Sequence, residues 1–376
     1  MHNEFLQRLG QIADIYLLAR LKDDRLGYPF PRDLRVFIPD LHLISQYRQQ
    51  EYGYKYNTNY NAHESDLLPT MVKLLIEMKR QIGEENNGTD DEDKKKTFEV
   101  YQLGDFLDLW RETTTPWRTR PGEWRGYVNR IIESNAALYD ALLDETLHTN
   151  FILGNHDFDL HRIPEFSHRW RFLSSYLVDR QEVPVVGILH GDLFSWVERL
   201  PDELQRFFVH HLSPQIPEEI RKQIIKSHIQ SNFLIFKTYK KYKDYIMLKE
   251  AVEFHELPLS RGLPPGSEYN VKRAPGGSKE ELMYLADAKK YFSGVNQSEK
   301  FKVGMAVIGH THYPRIAVDD SGGEFFALMD CGAWVNFHMA VIEEEGEVKR
   351  IPMDNALVGV LCDNDIRLYQ LSAKTQ

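Results

Sequence analysis

Phe98-Glu99-Val100-Tyr101-Gln102-Leu103 runs straight into Gly104-Asp105-Phe106-Leu107-Asp108. The first six residues have the aromatic and β-branched character of a buried strand, and the run stops at a glycine and an acid. Four other stretches end in the same way. Arg35–Pro39 stops at Asp40, Asn150–Leu153 at Gly154-Asn155, Val183–Leu189 at His190, and Val303–Ile308 at Gly309-His310. In open α/β sheets, ligands gather beyond the carboxyl ends of strands, so these five exits predict one shared polar rim.

Helical patterns at Leu67–Ile82 and Glu123–Leu147 lie between the strands. After Thr311 the texture changes to short alternating runs, punctuated by Asp320-Ser321-Gly322-Gly323, Glu344–Glu347 and Asp363–Asp365. That texture predicts an antiparallel C-terminal part. Together these signals predict an α/β chain of the α+β sandwich kind, two stacked sheets covered by helices. Phe5, Leu9, Ile12, Ile15 and Tyr16 recur at helical spacing, so Met1–Leu21 is expected to form an amphipathic helix packed on the core, within an N-terminal element at 1–32. Residues 33–193 and 301–376 read as the main domain. Residues 194–300 read as a helical and loop insertion, a candidate lid. Gly83–Lys96 and Ser260–Lys279 read as loops, the first because it is charged and poor in apolar residues.

With 376 residues, 42% hydrophobic and 27% charged, the chain can bury a substantial core and has the composition of a soluble protein. No window offers the roughly 18 apolar residues that a membrane span needs. Met1–Leu21 mixes Glu4, Arg8, Asp14 and Arg20 among its apolar residues and does not read as a signal peptide. The two cysteines, Cys331 and Cys362, form neither a disulfide framework nor a thiolate metal site, which favours a cytoplasmic location. The net charge of −10 weighs against general nucleic-acid binding, although clustered site carboxylates contribute to it.

The residue types at the strand exits are those of a metal site. Asp40-Leu41-His42 offers a carboxylate and an imidazole on alternate residues. Gly104 permits a tight turn, and the Asp105 carboxylate is free to bridge two cations about 3.5–4 Å apart. Asp108 is a candidate acceptor behind the ligands. Asn155 offers a neutral carbonyl oxygen, and His156 stands ready to stabilise charge or protonate a leaving oxygen. Asp157 is expected to orient His156. His190 adds an imidazole, and His310-Thr311-His312 offers one imidazole to each of two metals. A mixed carboxylate, carbonyl and imidazole set suits Mn, Fe, Zn or Co better than Mg or Ca alone.

The order D-x-H, G-D-x-x-D, G-N-H-D, H-G-D, G-H-T-H, running from Asp40 to His312, resembles that of the calcineurin-like metallophosphoesterase superfamily. The resemblance implies a sandwich of two mixed β-sheets flanked by helices and a dinuclear centre, with manganese the leading metal. Asp40, His42, Asp105 and His312 would hold one ion, and Asp105, Asn155, His190 and His310 the other. It assigns His156 as general acid or charge stabiliser and a metal-bridging water or hydroxide as the nucleophile. Asp40-Leu41-His42-Leu43, Gly104–Trp110, Pro314 and Gly332-Ala333-Trp334 are similar to the UDP-2,3-diacylglucosamine pyrophosphohydrolase branch, where a helical insertion covers an acyl-bearing substrate. His156 stands where proteobacterial members of that branch carry Arg, and Leu193-Phe194-Ser195-Trp196 replaces a Cys-containing stretch.

The expected activity is therefore hydrolysis of a phosphate ester or pyrophosphate, with a nucleotide- or lipid-linked small molecule as the leading substrate class. Phosphomonoester or phosphoprotein hydrolysis, nuclease activity and a non-catalytic scaffold are the alternatives. Lys237, Lys240, Lys241 and Lys243 alternate with Tyr239, Tyr242 and Tyr245, which offers either a solvated helix face or a phosphate- or membrane-facing patch for peripheral contact.

Overall fold

The computed structural model describes residues 1–26, 33–47, 67–91, 94–112, 121–154, 156–157, 160, 171–173, 175–180, 183–191, 271–273, 284–299, 302–311, 314–320, 323–334, 339–344, 347–352 and 356–373. Within them two mixed sheets form a mixed α/β fold. The first has seven strands in the order β1 (Ala13–Lys22), β15 (Asp365–Ala373), β14 (Ala356–Cys362), β2 (Asp33–Ile38), β3 (Thr97–Gln102), β4 (Asn150–Ile152) and β5 (Arg171–Leu173). Strands β2 to β5 are parallel neighbours, while β1, β15, β14 and β2 pair antiparallel. The second sheet has six strands, β6 (Ser175–Arg180), β7 (Val183–Leu189), β9 (Met305–Ile308), β11 (Phe326–Asp330), β10 (Arg315–Asp319) and β8 (Val271–Arg273). A separate hairpin joins β12 (Met339–Glu344) to β13 (Glu347–Pro352).

Successive residues of a strand face opposite ways, and here both directions lead into apolar packing. Phe37, Tyr101 and Ile152 of the first sheet meet Ile188, Val307 and Met329 of the second. Their neighbours Val36, Val100 and Phe151 face the other way, toward α1 (His2–Ile12), α2 (Leu67–Asn87), α4 (Pro121–Ser134) and α5 (Ala136–Leu142), with α3 (Leu109–Glu112) a single turn before α4. On the far side of the second sheet, Ala306 and Leu328 pack against Ala288 and Phe292 of α6 (Leu285–Glu299). The layers therefore run helices, sheet, sheet, helix. Burial on both faces is why the strands read as unbroken apolar runs. Fully burying a side chain such as Phe37 is worth about 1.5–3 kcal/mol. A Cβ at Gly187 would run into the Phe292 ring, so the missing side chain lets α6 approach β7.

Three segments differ from expectation. The N-terminal helix stops at Ile12, where Ala13 is already extended (φ −145, ψ 156), and Ala13–Lys22 is a strand. It pairs with β15 from Ala13↔Ala373 to Lys22↔Asp365. A long partner strand overrides a periodicity that leucine and isoleucine leave ambiguous. Helix α2 continues through Asn87, into the segment expected to be a loop, because its last turn carries no apolar residue to mark it. The pattern at Glu123–Leu147 divides at Asn135, a buried residue whose Nδ2 donates to Ile131 O at 2.7 Å and Ile44 O at 3.2 Å.

The antiparallel texture after Thr311 corresponds to the β10–β11, β12–β13 and β14–β15 pairs. Of residues 194–300, the described parts are 271–273 and 284–299. Strand β8 is a further departure, since it lies within Ser260–Lys279, a stretch expected to be a loop, and is ordered by parallel pairing with β10; α6 lies on the second sheet. The lysine- and tyrosine-rich stretch and the rest of the expected insertion lie outside the described residues. Among the described residues no helix is long and apolar enough to cross a membrane.

Candidate metal centre

The carboxyl ends of β2, β3 and β4 in the first sheet and of β7 and β9 in the second deliver Asp40, Asp105, His156, His190 and His310 to one place. Peptide groups join the loops that carry them. Asp105 O accepts hydrogen bonds from Leu41 N at 3.1 Å and His42 N at 2.7 Å, and Asp108 N donates to Leu43 O at 2.9 Å. Gly309 N donates to His190 O at 3.1 Å, and Trp334 N donates to Asp40 O at 2.7 Å. His42, Asp105 and His310 have φ of 45, 46 and 65. Non-glycine residues avoid this left-handed region, and such residues cluster at functional sites. The glycines of the motifs make room for the donors. A Cβ at Gly104 would lie 2.5 Å from His190 Nδ1, one at Gly154 would meet the Asp105 carboxylate, and one at Gly309 would meet that of Asp40.

Three donor groups result, one of them His42, Asp108 and His156, and the other two share a carboxylate. Asp40, His42 and Asp105 form one of that pair and Asp105, His190 and His310 the other, with the potential ligand atoms of each group within 4.8 Å of one another. Asp105 belongs to both. Its Oδ2 lies 3.4 Å from His42 Nε2 and 3.3 Å from His190 Nε2, and His310 Nδ1 is 3.1 Å from His190 Nε2. His310 N donates to Asp40 Oδ2 at 2.7 Å. His190 Nδ1 is 2.9 Å from Leu103 O, a contact that fixes the ring with Nε2 toward Asp105. Every one of these side chains is buried. Buried carboxylates and imidazoles converging in this way are a donor set that could hold a metal ion, and their chemistry fits a divalent cation. Asn155 and His312 lie outside the described residues.

Electrostatics leaves Asp105 and His42 in ligand-ready forms. Burial raises the Asp105 carboxyl, but His190, His156 and His42 together hold it well below the usual carboxylate range. Burial pushes His42 down to about 4 against the opposing pull of Asp105 and Asp108, so the imidazole is neutral. Metal ligation needs both of these forms. Burial, with Asp105 and Asp330 nearby, raises Asp40 well above its ordinary value despite His190. Burial and the neighbouring Asp105 charge raise Asp157 to about 8.

The carboxylate expected to orient His156 is Asp157, its neighbour in sequence. The structure gives that contact to Asp108, whose Oδ1 is 2.9 Å from His156 Nδ1 and whose Oδ2 is 3.1 Å from His42 Nδ1. Asp157 instead accepts from Gly154 N at 2.8 Å and Phe106 N at 2.7 Å, tying the β3 and β4 exits together. His156 N donates to Asp105 Oδ1 at 2.9 Å, which sets the imidazole beside the shared carboxylate.

One participant is missing from the sequence reading. Asp330, fully buried at the end of β11, accepts from Thr311 Oγ1 and from Gly332 N at 3.2 Å, and its Oδ2 is 3.5 Å from Arg315 Nη2. It anchors the turn that carries His310. Its signal is a sixth apolar run, Phe326–Asp330, that also stops at an acid with a glycine close behind. Comparison with known protein families and with curated protein sequences finds no match.

Proposed function

We propose that the chain is a dinuclear-metal phosphoesterase that hydrolyses a phosphate ester or pyrophosphate. The observation that carries this reading is the shared carboxylate, since Asp105 is common to two buried donor groups with His156 beside it. One ion would take Asp40, His42 and Asp105, and the other Asp105, His190 and His310. Asn155 and His312 complete the two sets in the motif order. When bound, such ions polarise a phosphoryl oxygen and supply a nucleophilic water near neutral pH. Manganese is the leading metal, with iron, zinc or cobalt compatible with the donors.

The side chains divide the remaining work. Asp105 keeps its charge between the two groups. Asp108 holds His156 through Nδ1, so Nε2 is the ring nitrogen that carries a proton to the leaving oxygen. The same carboxylate holds His42, so one buried anion aligns a metal donor and the proton donor together. The substrate class we favour is a small nucleotide- or lipid-linked phosphate compound, met in the cytoplasm.

The test is a metal analysis joined to a phosphate-release screen over p-nitrophenyl phosphate and its bis ester, UDP-sugars, acylated UDP-glucosamine, dinucleotides, mononucleotides, phosphopeptides and nucleic acid. Turnover that needs divalent metal and the Asp105 carboxylate supports the proposal. A protein with metal verifiably bound that turns over nothing in the panel would be a scaffold, and the proposal would fall.

A further inference from the structure

Helix α6 ends where β9 begins, and Asn296 ties the two together. Its Nδ2 donates to Val303 O at 3.0 Å, and its Oδ1 accepts from Val303 N at 2.9 Å. The helix therefore runs back along the strand and starts near the strand end that carries His310. Tyr284, the residue before Leu285, stands at that start. Its ring centroid is 5.9 Å from that of His310, with the two planes at 87°. The helix is held there by Phe292, which fills the space left by Gly187, and by Ala288, whose N–H donates to Tyr284 O at 2.8 Å.

Two features set Tyr284 apart from ordinary core filling. Its φ is 66, a left-handed value that a bulky side chain rarely adopts and that persists only where the surroundings impose it. It is buried in the same apolar cluster as Leu189 and Ile308, which precede His190 and His310 by one and two residues. The other imidazoles of the centre are oriented by oxygens, His190 by Leu103 O at 2.9 Å, and His42 and His156 by Asp108. His310 packs edge to face on two rings, those of Tyr284 and of His190, the latter at 4.8 Å and 74°. Such perpendicular contacts favour one orientation of a ring over its alternatives. We propose that Tyr284 is a positioning residue of the metal centre, fixing the His310 imidazole for the ion of the Asp105, His190 and His310 group; this rests on the dinuclear reading above. What Tyr284 supplies is its ring. By limiting rotation of His310, whose Nδ1 is 3.1 Å from His190 Nε2, it reduces the ordering that ion binding would otherwise require.

The experiment is calorimetric titration of the intact, metal-free protein with Mn²⁺, comparing wild type with Tyr284→Leu and Tyr284→Phe. Leucine keeps apolar bulk and loses the ring, whereas phenylalanine keeps the ring. Tyr284→Leu should weaken one of two binding steps by about 2–10-fold and leave the other unchanged, and Tyr284→Phe should restore wild-type affinity. The weakened step should be the one that His310→Ala abolishes. Tyr284→Gly, which suits a left-handed backbone, replaces the leucine variant if that one fails to fold and should weaken the same step. Unchanged affinity without the ring, equal weakening of both steps, or a phenylalanine variant as weak as the leucine one would each overturn the proposal and leave the dinuclear reading standing. A wild-type protein that binds fewer than two Mn²⁺ ions would bring down that reading and this proposal with it.

Discussion

The two flanks of the first sheet share one hydrophobic core and do different things. On one flank β2, β3 and β4 are parallel, so their carboxyl ends all open on the same side and bring Asp40, Asp105 and His156 together. On the other, β1, β15 and β14 are antiparallel, so successive ends point opposite ways and the flank contributes none of the donor groups. It closes the sheet instead. Asp365 holds Arg20 through two contacts, at 3.0 and 2.8 Å, and Arg367 at 2.5 Å. The lesson is that strand direction, more than composition, decides where polar groups can be concentrated.

The sharpest way to break this contrast is at the shared carboxylate. Asp105→Ala should remove metal pairing and phosphate release together, a larger loss than the roughly 10–100-fold that outer partners of a metal ligand carry. Elemental analysis alongside turnover would check it, and retained activity would mean that the parallel flank is not the reacting one. Next comes His156→Ala, which should keep its metal and lower the rate by about 10²–10⁴-fold. An emptied metal site in that variant would make His156 a ligand. Asp330→Asn should loosen the His310 turn and weaken metal affinity by about 10–100-fold, read by competition with a chelator.

The smallest effect belongs to the antiparallel flank. Burial raises the Asp365 carboxyl, but Arg367 and Arg20 outweigh it and lower the folded value. A folded-state pKa lowered in this way stabilises the protein above the ordinary carboxylate range of about 3.9 and ceases to do so as pH falls through the folded value. Asp365→Asn should therefore cost about 1 kcal/mol or less at neutral pH and flatten the acid limb of the stability profile, with turnover unchanged. Thermal melts against pH would show it. A fall in turnover would mean that the flanks are coupled.

The parallel flank was the more legible one. Runs buried on both faces leave an unbroken apolar signature, so β2, β3, β4, β7 and β9 stand out in the sequence together with the polar residues at their ends. Strand β1 does not, because Ile15, Tyr16, Leu17 and Leu18 fit helical spacing as well as a strand, and the partner that decides between them lies at Asp365–Ala373. The contact between Asp108 and His156 spans 48 residues, whereas adjacency suggests Asp157. Nor can spacing reveal the left-handed backbone at His42, Asp105 and His310, since it depends on how the exits are joined in three dimensions.

Asp105 enters the protein twice, through its carbonyl, which holds the Asp40–His42 exit, and through its carboxylate, which faces the histidines. Those two roles can vary independently. Peptide groups are common to every residue, so a frame tied by them is indifferent to the side chains it displays. Over evolutionary time such a frame could exchange its donors one by one, and with them its metal and its chemistry, without having to fold anew.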